Sequence, residues 1–184
     1  MIFETPLCKL AYKYGTDKCP QHKRHTYTIY YYNLLNSRKG LIKKVLEIGI
    51  DKGASLFMWR DFFPNAKIYG AEYRKDLLIS QLRIESFLCD QRRKSHLKDL
   101  IAHIGPDIDI VIDDASHHPS DQVFTCLSLM PLLNKKVIYV IEDVADPSIV
   151  NRLEKYDVEM PPLEQPKRNR YDNRLVVVKH KFIT

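Results

Sequence analysis

The chain has 184 residues and is 45% hydrophobic, which suits one globular domain with a sizeable core. No apolar run approaches the roughly 20 residues that cross a bilayer, so we expect no membrane span. The formal net charge of +6 is spread over short clusters and does not by itself predict a nucleic-acid partner.

The first 40 residues are predicted to form a lead-in of two helices. In segment 24–37 the apolar and aromatic residues recur close to helical spacing, at Tyr27, Tyr30, Tyr31, Leu34 and Leu35. We expect the whole chain, residues 1–184, to form a single domain. Its core is expected to occupy residues 41–184, and the lead-in is expected to cap the substrate side of that core.

From residue 41 onward, strands and helices are predicted to alternate. Short apolar runs predict strands at 44–50, 67–72, 84–88, 108–112 and 137–141. The segments between them predict helices at 53–63, 96–103 and 120–133. Two last strands, near 155–158 and 175–179, have no helix between them. This order predicts an α/β fold, a Rossmann-like doubly wound and mostly parallel sheet with an antiparallel C-terminal edge.

A glycine turn follows the first predicted strand. Glu47 lies in that strand, and Gly49 and Gly53 form a Gly-x-x-x-Gly turn that opens a helix. Glycines at such a turn let the backbone bend sharply and approach a ligand closely. Glu72 ends the next strand, where an acid can accept both hydroxyls of a ribose. A plain strand–helix turn is the alternative interpretation, and the absence of GxGxxG argues against a dehydrogenase.

Two later strands end in acids. Asp113 and Asp114 follow one apolar run, and Glu142 and Asp143 follow the next. The carboxyl ends of parallel strands meet at one edge of the sheet, where ligands of α/β proteins bind. Carboxylates gathered there repel one another and are best tolerated around a cation, and oxygen ligands suit Mg²⁺ or Mn²⁺. His117 is placed to take a proton, so the pattern predicts a metal-assisted enzyme site. A hydrogen-bonded loop histidine is the plainer alternative.

These motifs resemble a known family. Glu-x-Gly-x-x-x-Gly, then Glu72, then Asp90-Gln91, is similar to the cofactor site of the class I S-adenosylmethionine-dependent methyltransferases. More narrowly, the chain resembles the metal-dependent sugar O-methyltransferases of macrolide biosynthesis and the related cephalosporin-hydroxylase-like family. The motifs that carry this narrower resemblance are Tyr14-Gly15-Thr16-Asp17-Lys18, His25-x-Tyr27, Gly53-x-Ser55-Leu56-x-x-Trp59, Ile112-Asp113-Asp114-x-x-His117-His118 and Val140-Ile141-Glu142-Asp143, with a weaker match at Tyr171-Asp172-Asn173-Arg174-Leu175.

The resemblance implies roles for particular residues. It implies that Asp114, Glu142 and Asp143 hold Mg²⁺, with Mn²⁺ as a substitute, and that His117 is the general base. The residues that it implies around S-adenosylmethionine are Thr16, Lys18, Glu47, Gly49, Gly53, Ser55, Glu72, Asp90 and Gln91. The chain departs from the family at Asn134-Lys135-Lys136, where a Gly-Gly pair is usual, and at Glu72, where Asp is commoner. At this length we expect the chain to lack the auxiliary domain of some relatives, so neither the acceptor nor homo-oligomer formation can be carried over from them.

The leading hypothesis is an S-adenosylmethionine- and Mg²⁺-dependent O-methyltransferase that acts on a sugar hydroxyl of a glycan or glycosylated metabolite. A catechol or other diol is the alternative acceptor, because one metal site can chelate either. A nucleic-acid-binding module is less favoured because the chain has no nucleic-acid motif. A catalytically inactive interaction domain is less favoured because buried carboxylates without a partner are costly.

The cysteines inform the expected compartment. Cys8, Cys19, Cys89 and Cys126 form no CxxC pair, so we expect a reduced, soluble protein of the cytoplasm. Cys19-x-x-His22-x-x-His25 has no fourth ligand at a suitable spacing, and zinc is therefore not expected.

Overall fold

The computed structural model describes residues 2–164 and 172–181, so Tyr171 of the weakest motif lies outside it. The helices are α1 (Pro6–Tyr14), α2 (Tyr27–Leu35), α3 (Ala54–Phe62), α4 (Lys94–Ile104), α5 (Pro119–Leu129) and α6 (Ile149–Arg152). The strands are β1 (Lys44–Ile48), β2 (Lys67–Glu72), β3 (Ser80–Gln81), β4 (Ile84–Leu88), β5 (Ile110–Asp113), β6 (Ile138–Ile141), β7 (Asp157–Glu159) and β8 (Val176–Lys179). Short 3-10 turns lie at Pro20–His22, Asn36–Arg38, Lys75–Leu77 and Met130–Leu132.

The eight strands of the described residues form one sheet in the order β3-β4-β2-β1-β5-β6-β8-β7. From β4 to β6 all neighbours are parallel. Strand β8 pairs antiparallel with both β6 and β7, and β3 pairs antiparallel with β4. The predicted mostly parallel sheet with an antiparallel C-terminal edge is confirmed. Because β1 has β2 on one side and β5 on the other, the ligand crevice of such a sheet is expected beyond its carboxyl end.

The alternation of side chains along a strand sorts the strand-end acids between the two faces of the sheet. In β5, Val111 packs in the core under α4 and α5, whereas Ile112 packs in the core shared with the lead-in helices. Asp113 continues the first series and Asp114 the second. Strand β6 repeats the pattern and brings Glu142 to the lead-in face, where its carboxylate contacts lead-in side chains.

The lead-in packs as two helices against α3 and the sheet. The hydroxyl of Thr5 caps the start of α1 by accepting a hydrogen bond from the backbone N–H of Cys8, three residues later, at 3.1 Å. Helix α2 buries Tyr27, Tyr31 and Leu35, which are four residues apart and share one face. This face brings two tyrosine hydroxyls towards the carboxyl edge of the sheet.

Some predicted boundaries differ from the observed ones. The predicted helix at 24–37 begins only at Tyr27, after Lys23 adopts a positive φ of 59°. Strand β3 and helix α6 are not predicted, because elements of two and four residues carry no measurable period. Among the described helices the longest have 11 residues, and none has the length and apolar character that crossing a membrane requires.

Candidate active site

A cavity of about 960 Å³ opens at the carboxyl edge of the sheet. Ten of the residues that the sequence predicts for the site line it, namely Thr16, Lys18, Gly49, Ser55, Glu72, Asp90, Gln91, Asp114, His117 and Asp143. Three other predicted residues do not line the cavity: Glu47 and Glu142, which contact Lys18, and Gly53, which precedes α3. The structure therefore gathers residues from opposite ends of the chain around one space.

Gly49 lets the first turn lie directly against the acid-bearing end of β5. Its φ is +81°, and a Cβ at this position would lie 2.3 Å from the carbonyl oxygen of Asp114 and 2.5 Å from Cα of Ala115. Gly53 has a φ of +77°, and its Cβ would lie 2.1 Å from Cδ1 of Ile79. Both positions favour glycine through their positive φ, and at Gly49 the backbone of the neighbouring segment also leaves no room for a Cβ, whereas at Gly53 the contact is with the movable end of a side chain.

Replacing Gly49 by alanine is expected to lower the free energy of unfolding by about 2 kcal/mol or more, since the positive φ alone costs roughly 1–2 kcal/mol and the backbone of Asp114 must also move. Thermal unfolding followed by circular dichroism measures the loss. The control is Gly40→Ala, where no atom lies within 4 Å of the added Cβ. An unchanged melting temperature in Gly49→Ala would contradict the expectation.

Glu72 closes the turn from the side of β2. Its side chain is buried, Oε2 accepts a hydrogen bond from the backbone N–H of Ile50 at 3.3 Å, and Oε1 accepts one from Arg74 at 3.0 Å. Each carboxylate oxygen can accept about two hydrogen bonds. Both oxygens of Glu72 therefore keep capacity for a ligand in the cavity that they line.

Asp90 and Gln91 lie on the cavity wall after β4, and both are already engaged. Nε of Arg92 donates to Oδ1 of Asp90 at 3.0 Å. Gln91 is buried, and its side-chain amide bonds to Thr125 and to Ser116 in other segments. Their predicted place beside an adenine stays a prediction, and the bonds of Gln91 point to a second role.

Lys18 lies at the centre of the acids. Its side chain is 2% exposed, and Nζ contacts Oδ2 of Asp114 at 2.5 Å, Oε2 of Glu142, and Oε1 of Glu47 at 3.5 Å. Burial raises the pKa of Glu47 to about 7, and Glu47 also accepts a hydrogen bond from the Ser55 hydroxyl at 2.7 Å. The sequence places Lys18 beside the cofactor, whereas the structure sets its ammonium against two predicted metal ligands. Its contact with the cofactor, like that of Thr16, stays a prediction.

Burial opposes ionisation of the acids in this cluster. Burial raises the pKa of Glu142 well above its ordinary value and also raises the pKa of Asp143. Burial acts in the same direction on Asp114, but Lys18 and His117 outweigh it and lower the pKa of that carboxyl. A further cation bound beside these carboxylates would favour their ionised forms and offset the cost of burying them.

His117 reaches both aspartates from the loop after β5. Its Nε2 lies 3.1 Å from Oδ1 of Asp114, and its Nδ1 lies 3.4 Å from Oδ2 of Asp143. The hydrogen bond with Asp114 raises the pKa of His117 to about 9. His118 is oriented differently: it precedes α5, and its ring bonds to the hydroxyl of Ser120 at 2.8 Å. The structure therefore brings His117, and not His118, to the acids.

Two tyrosines of α2 contact the acids and are not among the site residues that the sequence predicts. The hydroxyl of Tyr27 donates to Oδ1 of Asp143 at 2.6 Å, and that of Tyr31 donates to Oε1 of Glu142 at 2.7 Å. Their spacing of four residues is visible in the sequence and signals a shared helix face. Helical spacing predicts that these tyrosines pack on one face, but no local pattern shows which side chains that face meets.

Asp113 and His25 are two further polar residues of the sequence motifs at this edge of the sheet. Asp113 accepts a hydrogen bond from the Tyr139 hydroxyl at 2.9 Å on the opposite face of the sheet, so its carboxylate does not orient His117 directly. Nε2 of His25 lies 3.5 Å from Oδ1 of Asp143, which places His25 beside the acids as a buried neighbour.

Within residues 2–164 and 172–181, one group of side chains is close enough to hold a metal ion. It consists of Asp114, His117 and Asp143, whose donor atoms all lie within 4.8 Å of one another. Opposite ligands of one Mg²⁺ are about 4.2 Å apart, so small side-chain movements suffice. Glu142 is not in this group, because Lys18 and Tyr31 hold its two oxygens. Its coordination of a metal stays a prediction. Carboxylate oxygens are ligands that a hard divalent cation prefers, so the donor set fits Mg²⁺.

Curated proteins similar to this chain include O-methyltransferases. No family profile matches the chain. It is 34% identical over 145 residues to the 8-demethyl-8-alpha-L-rhamnosyl tetracenomycin-C 2'-O-methyltransferase of Streptomyces olivaceus. It is 33% identical over 145 residues to the mycinamicin VI 2''-O-methyltransferase of Micromonospora griseorubida. Each match covers 75% of this chain but 37% and 36% of the two relatives, so the chain spans little more than a third of their length.

A solved structure supports the architecture. The MycE methyltransferase of the mycinamycin biosynthetic pathway, in complex with Mg, SAH and mycinamycin VI, superposes with a TM-score of 0.78 at 24% identity. The match covers 96% of this chain and 53% of that chain. At this identity the likeness establishes the fold, and the Rossmann-like arrangement predicted from the sequence is confirmed.

Proposed function

Because the chain belongs to the class I methyltransferases and is homologous to sugar O-methyltransferases of macrolide and tetracenomycin biosynthesis, we propose that it transfers a methyl group from S-adenosylmethionine to a sugar hydroxyl with Mg²⁺ as the metal. The observation that carries the proposal is that Asp114, His117 and Asp143 meet in the same cavity that Glu72 lines. One space thus contains a carboxylate suited to a ribose and an acidic, histidine-bearing end suited to a coordinated diol.

The bound groups supply the reactive chemistry: S-adenosylmethionine supplies a methyl group on a sulfonium, and Mg²⁺ increases the acidity of a coordinated hydroxyl. The residues of the chain bind and orient. Glu72 is expected to accept hydrogen bonds from the ribose, and Gly49 lets the backbone approach the cofactor. Asp114, Glu142 and Asp143 are expected to hold the metal, the last two oriented by hydrogen bonds from Tyr31 and Tyr27.

His117 is expected to take the proton of the sugar hydroxyl. When bound, S-adenosylmethionine would supply the methyl group that the hydroxyl oxygen takes up, and the imidazole would keep the proton that this oxygen loses. The partly exposed ring of His117 lies beside Asp114 and Asp143, where it could reach a hydroxyl held by the metal. Alignment of the two substrates contributes much of the remaining rate.

The decisive experiment incubates the purified chain with S-adenosylmethionine, Mg²⁺ and a panel of rhamnosides and other glycosides, with catechol as the non-sugar diol. Mass spectrometry should show a methylated sugar, and EDTA should abolish the product until Mg²⁺ or Mn²⁺ is restored. Methylation of catechol alone would favour the alternative acceptor. Full activity after exhaustive EDTA treatment would contradict the metal requirement.

Glu72→Ala is expected to weaken S-adenosylhomocysteine binding by about 1–3 kcal/mol, the usual range for hydrogen bonds to a charged group. Isothermal titration calorimetry measures the change. The control is Glu85→Ala, which removes a carboxylate that pairs with Lys67 at the surface, outside the residues that line the cavity. Equal affinities of wild type and Glu72→Ala would exclude Glu72 as the ribose ligand, and no binding by the wild type would exclude the cofactor.

A further inference from the structure

The side-chain amide of Gln91 joins two segments that flank the proposed base. Gln91 is 6% exposed. Its Oε1 accepts a hydrogen bond from the backbone N–H of Ser116 at 3.1 Å, and its Nε2 donates to Oγ1 of Thr125 at 2.9 Å. Ser116 directly precedes His117. Thr125 lies in α5, the helix that begins just after His117.

These bonds allow only one orientation of the amide. The Thr125 hydroxyl donates its proton to the carbonyl oxygen of Asp121 at 2.8 Å, so it can only accept from Gln91. The N–H of Ser116 can only donate, so it requires the amide oxygen. Gln91 therefore supplies one donor and one acceptor, each matched to a fixed partner.

The same network holds the backbone on both sides of His117. The hydroxyl of Ser116 donates to Oδ2 of Asp121 at 2.8 Å and accepts a hydrogen bond from the N–H of His118 at 3.3 Å. Asp121 in turn donates its backbone N–H to the carbonyl oxygen of His118 at 2.9 Å. The residues before and after the base are thus tied to the start of α5.

His117 needs such support because its own backbone is strained. Its φ is +56°, a left-handed conformation that costs a non-glycine residue roughly 1–2 kcal/mol. Its side chain is 42% exposed, so packing contributes little to fixing the ring. The direction of the imidazole is therefore set by the backbone on which it stands together with the contacts of its two nitrogens with Asp114 and Asp143.

We propose that Gln91 is a positioning residue that fixes the His117 loop and links it to the cavity wall after β4. The inference rests on the proposed function, in which His117 accepts the proton. Gln91 acts through Ser116 and Thr125, and loss of its bonds leaves the base free to leave the position needed for reaction.

The test uses two variants that remove one or both of the bonds and one that keeps them. Gln91→Leu removes both hydrogen bonds, Thr125→Val removes the one to Thr125 without changing the shape of that side chain, and Thr125→Ser retains the hydroxyl. We expect Gln91→Leu and Thr125→Val to lower kcat by about 10–100-fold, the scale of a misplaced catalytic group. In Thr125→Val the acceptor KM and the affinity for S-adenosylhomocysteine should stay within about twofold, because Thr125 does not line the cavity, and Thr125→Ser should keep most of kcat.

Thr28→Val is the matched control, since Thr28 is as completely buried as Thr125 and its hydroxyl contacts only the sulfur of Cys8 among the described polar contacts.

NMR of isotope-labelled histidine supplies a readout that does not depend on methyl transfer. The His117 ring signals should shift in Thr125→Val and Gln91→Leu but not in Thr28→Val or Thr125→Ser. Unchanged ring signals and kcat in Thr125→Val would overturn the inference, as would parallel losses of kcat and S-adenosylhomocysteine affinity in that variant. Absence of methyl transfer by the wild type would contradict the proposed function instead, and the ring signals would still decide the role of Gln91.

Discussion

Replacing Asp114 or Asp143 by asparagine is expected to lower the rate of methyl transfer by about 10³-fold or more. Metal catalysis contributes several kcal/mol to such reactions, and each 1.4 kcal/mol is a factor of ten in rate. Both carboxylates lie in the group whose donor atoms are within 4.8 Å of one another. An amide keeps the shape of the side chain but removes the negative charge that holds the cation. Initial rates at saturating Mg²⁺ measure the loss of methyl transfer. Electron paramagnetic resonance of Mn²⁺ measures the loss of metal binding.

The chain provides a matched control in the neighbouring residue. Asp113→Asn makes the same substitution on the opposite face of the sheet, where the Tyr139 hydroxyl can donate to the amide oxygen instead. Activity and Mn²⁺ affinity should change little in this variant, and S-adenosylhomocysteine affinity should be near that of the wild type in all three. Retention of Mn²⁺ binding and turnover by Asp114→Asn would exclude Asp114 as a metal ligand.

Replacing His117 by alanine is expected to lower turnover by about 10²–10⁴-fold, the usual contribution of a general base. The affinities for S-adenosylhomocysteine and for Mn²⁺ should stay almost unchanged. His118→Ala is the control, because that ring bonds to Ser120 and not to the acids. Steady-state kinetics compares the two variants. If Mn²⁺ affinity fell together with turnover in His117→Ala, His117 would be a metal ligand and not the base.

The pH profile tests the same residue. The hydrogen bond with Asp114 raises the pKa of His117 to about 9, from an ordinary value near 6.5. A raised pKa means that the protonated ring persists to higher pH, so the neutral base is lost as the pH falls through that value. The wild-type rate should therefore rise with pH, with a midpoint between these two values. A rate independent of pH over this interval would contradict the assignment.

Much of the fold follows from local patterns. Strands β2 and β4 begin and end where the apolar runs predict, and β1, β5, β6 and β8 differ by one or two residues. A buried parallel strand needs a short run of branched apolar residues, and this requirement is met by neighbours in sequence. The alternation of side chains also determines that Asp114 and Glu142 share the lead-in face and that Asp113 does not. The short elements β3 and α6 could not be predicted, since too few residues carry the pattern.

The predicted site residues are also gathered as expected, because the carboxyl ends of parallel strands converge at one edge. Ten of them line one cavity. What the pattern could not supply is the partner of each side chain. Gln91 bonds to residues 25 and 34 positions away, and these contacts depend on where α5 packs.

The sequence by itself determined the strands other than β3, the glycine turn, the strand-end acids and the histidine that follows them, because each is specified by residues a few positions apart. Only the tertiary structure decided what surrounds the acids. Lys18 meets Asp114 across 96 positions, and Tyr27 meets Asp143 across 116. These contacts arise because the lead-in helices bury their aromatic face against the carboxyl edge of the sheet. That docking is governed by the shape and burial of two whole surfaces, and no local period in the sequence records it.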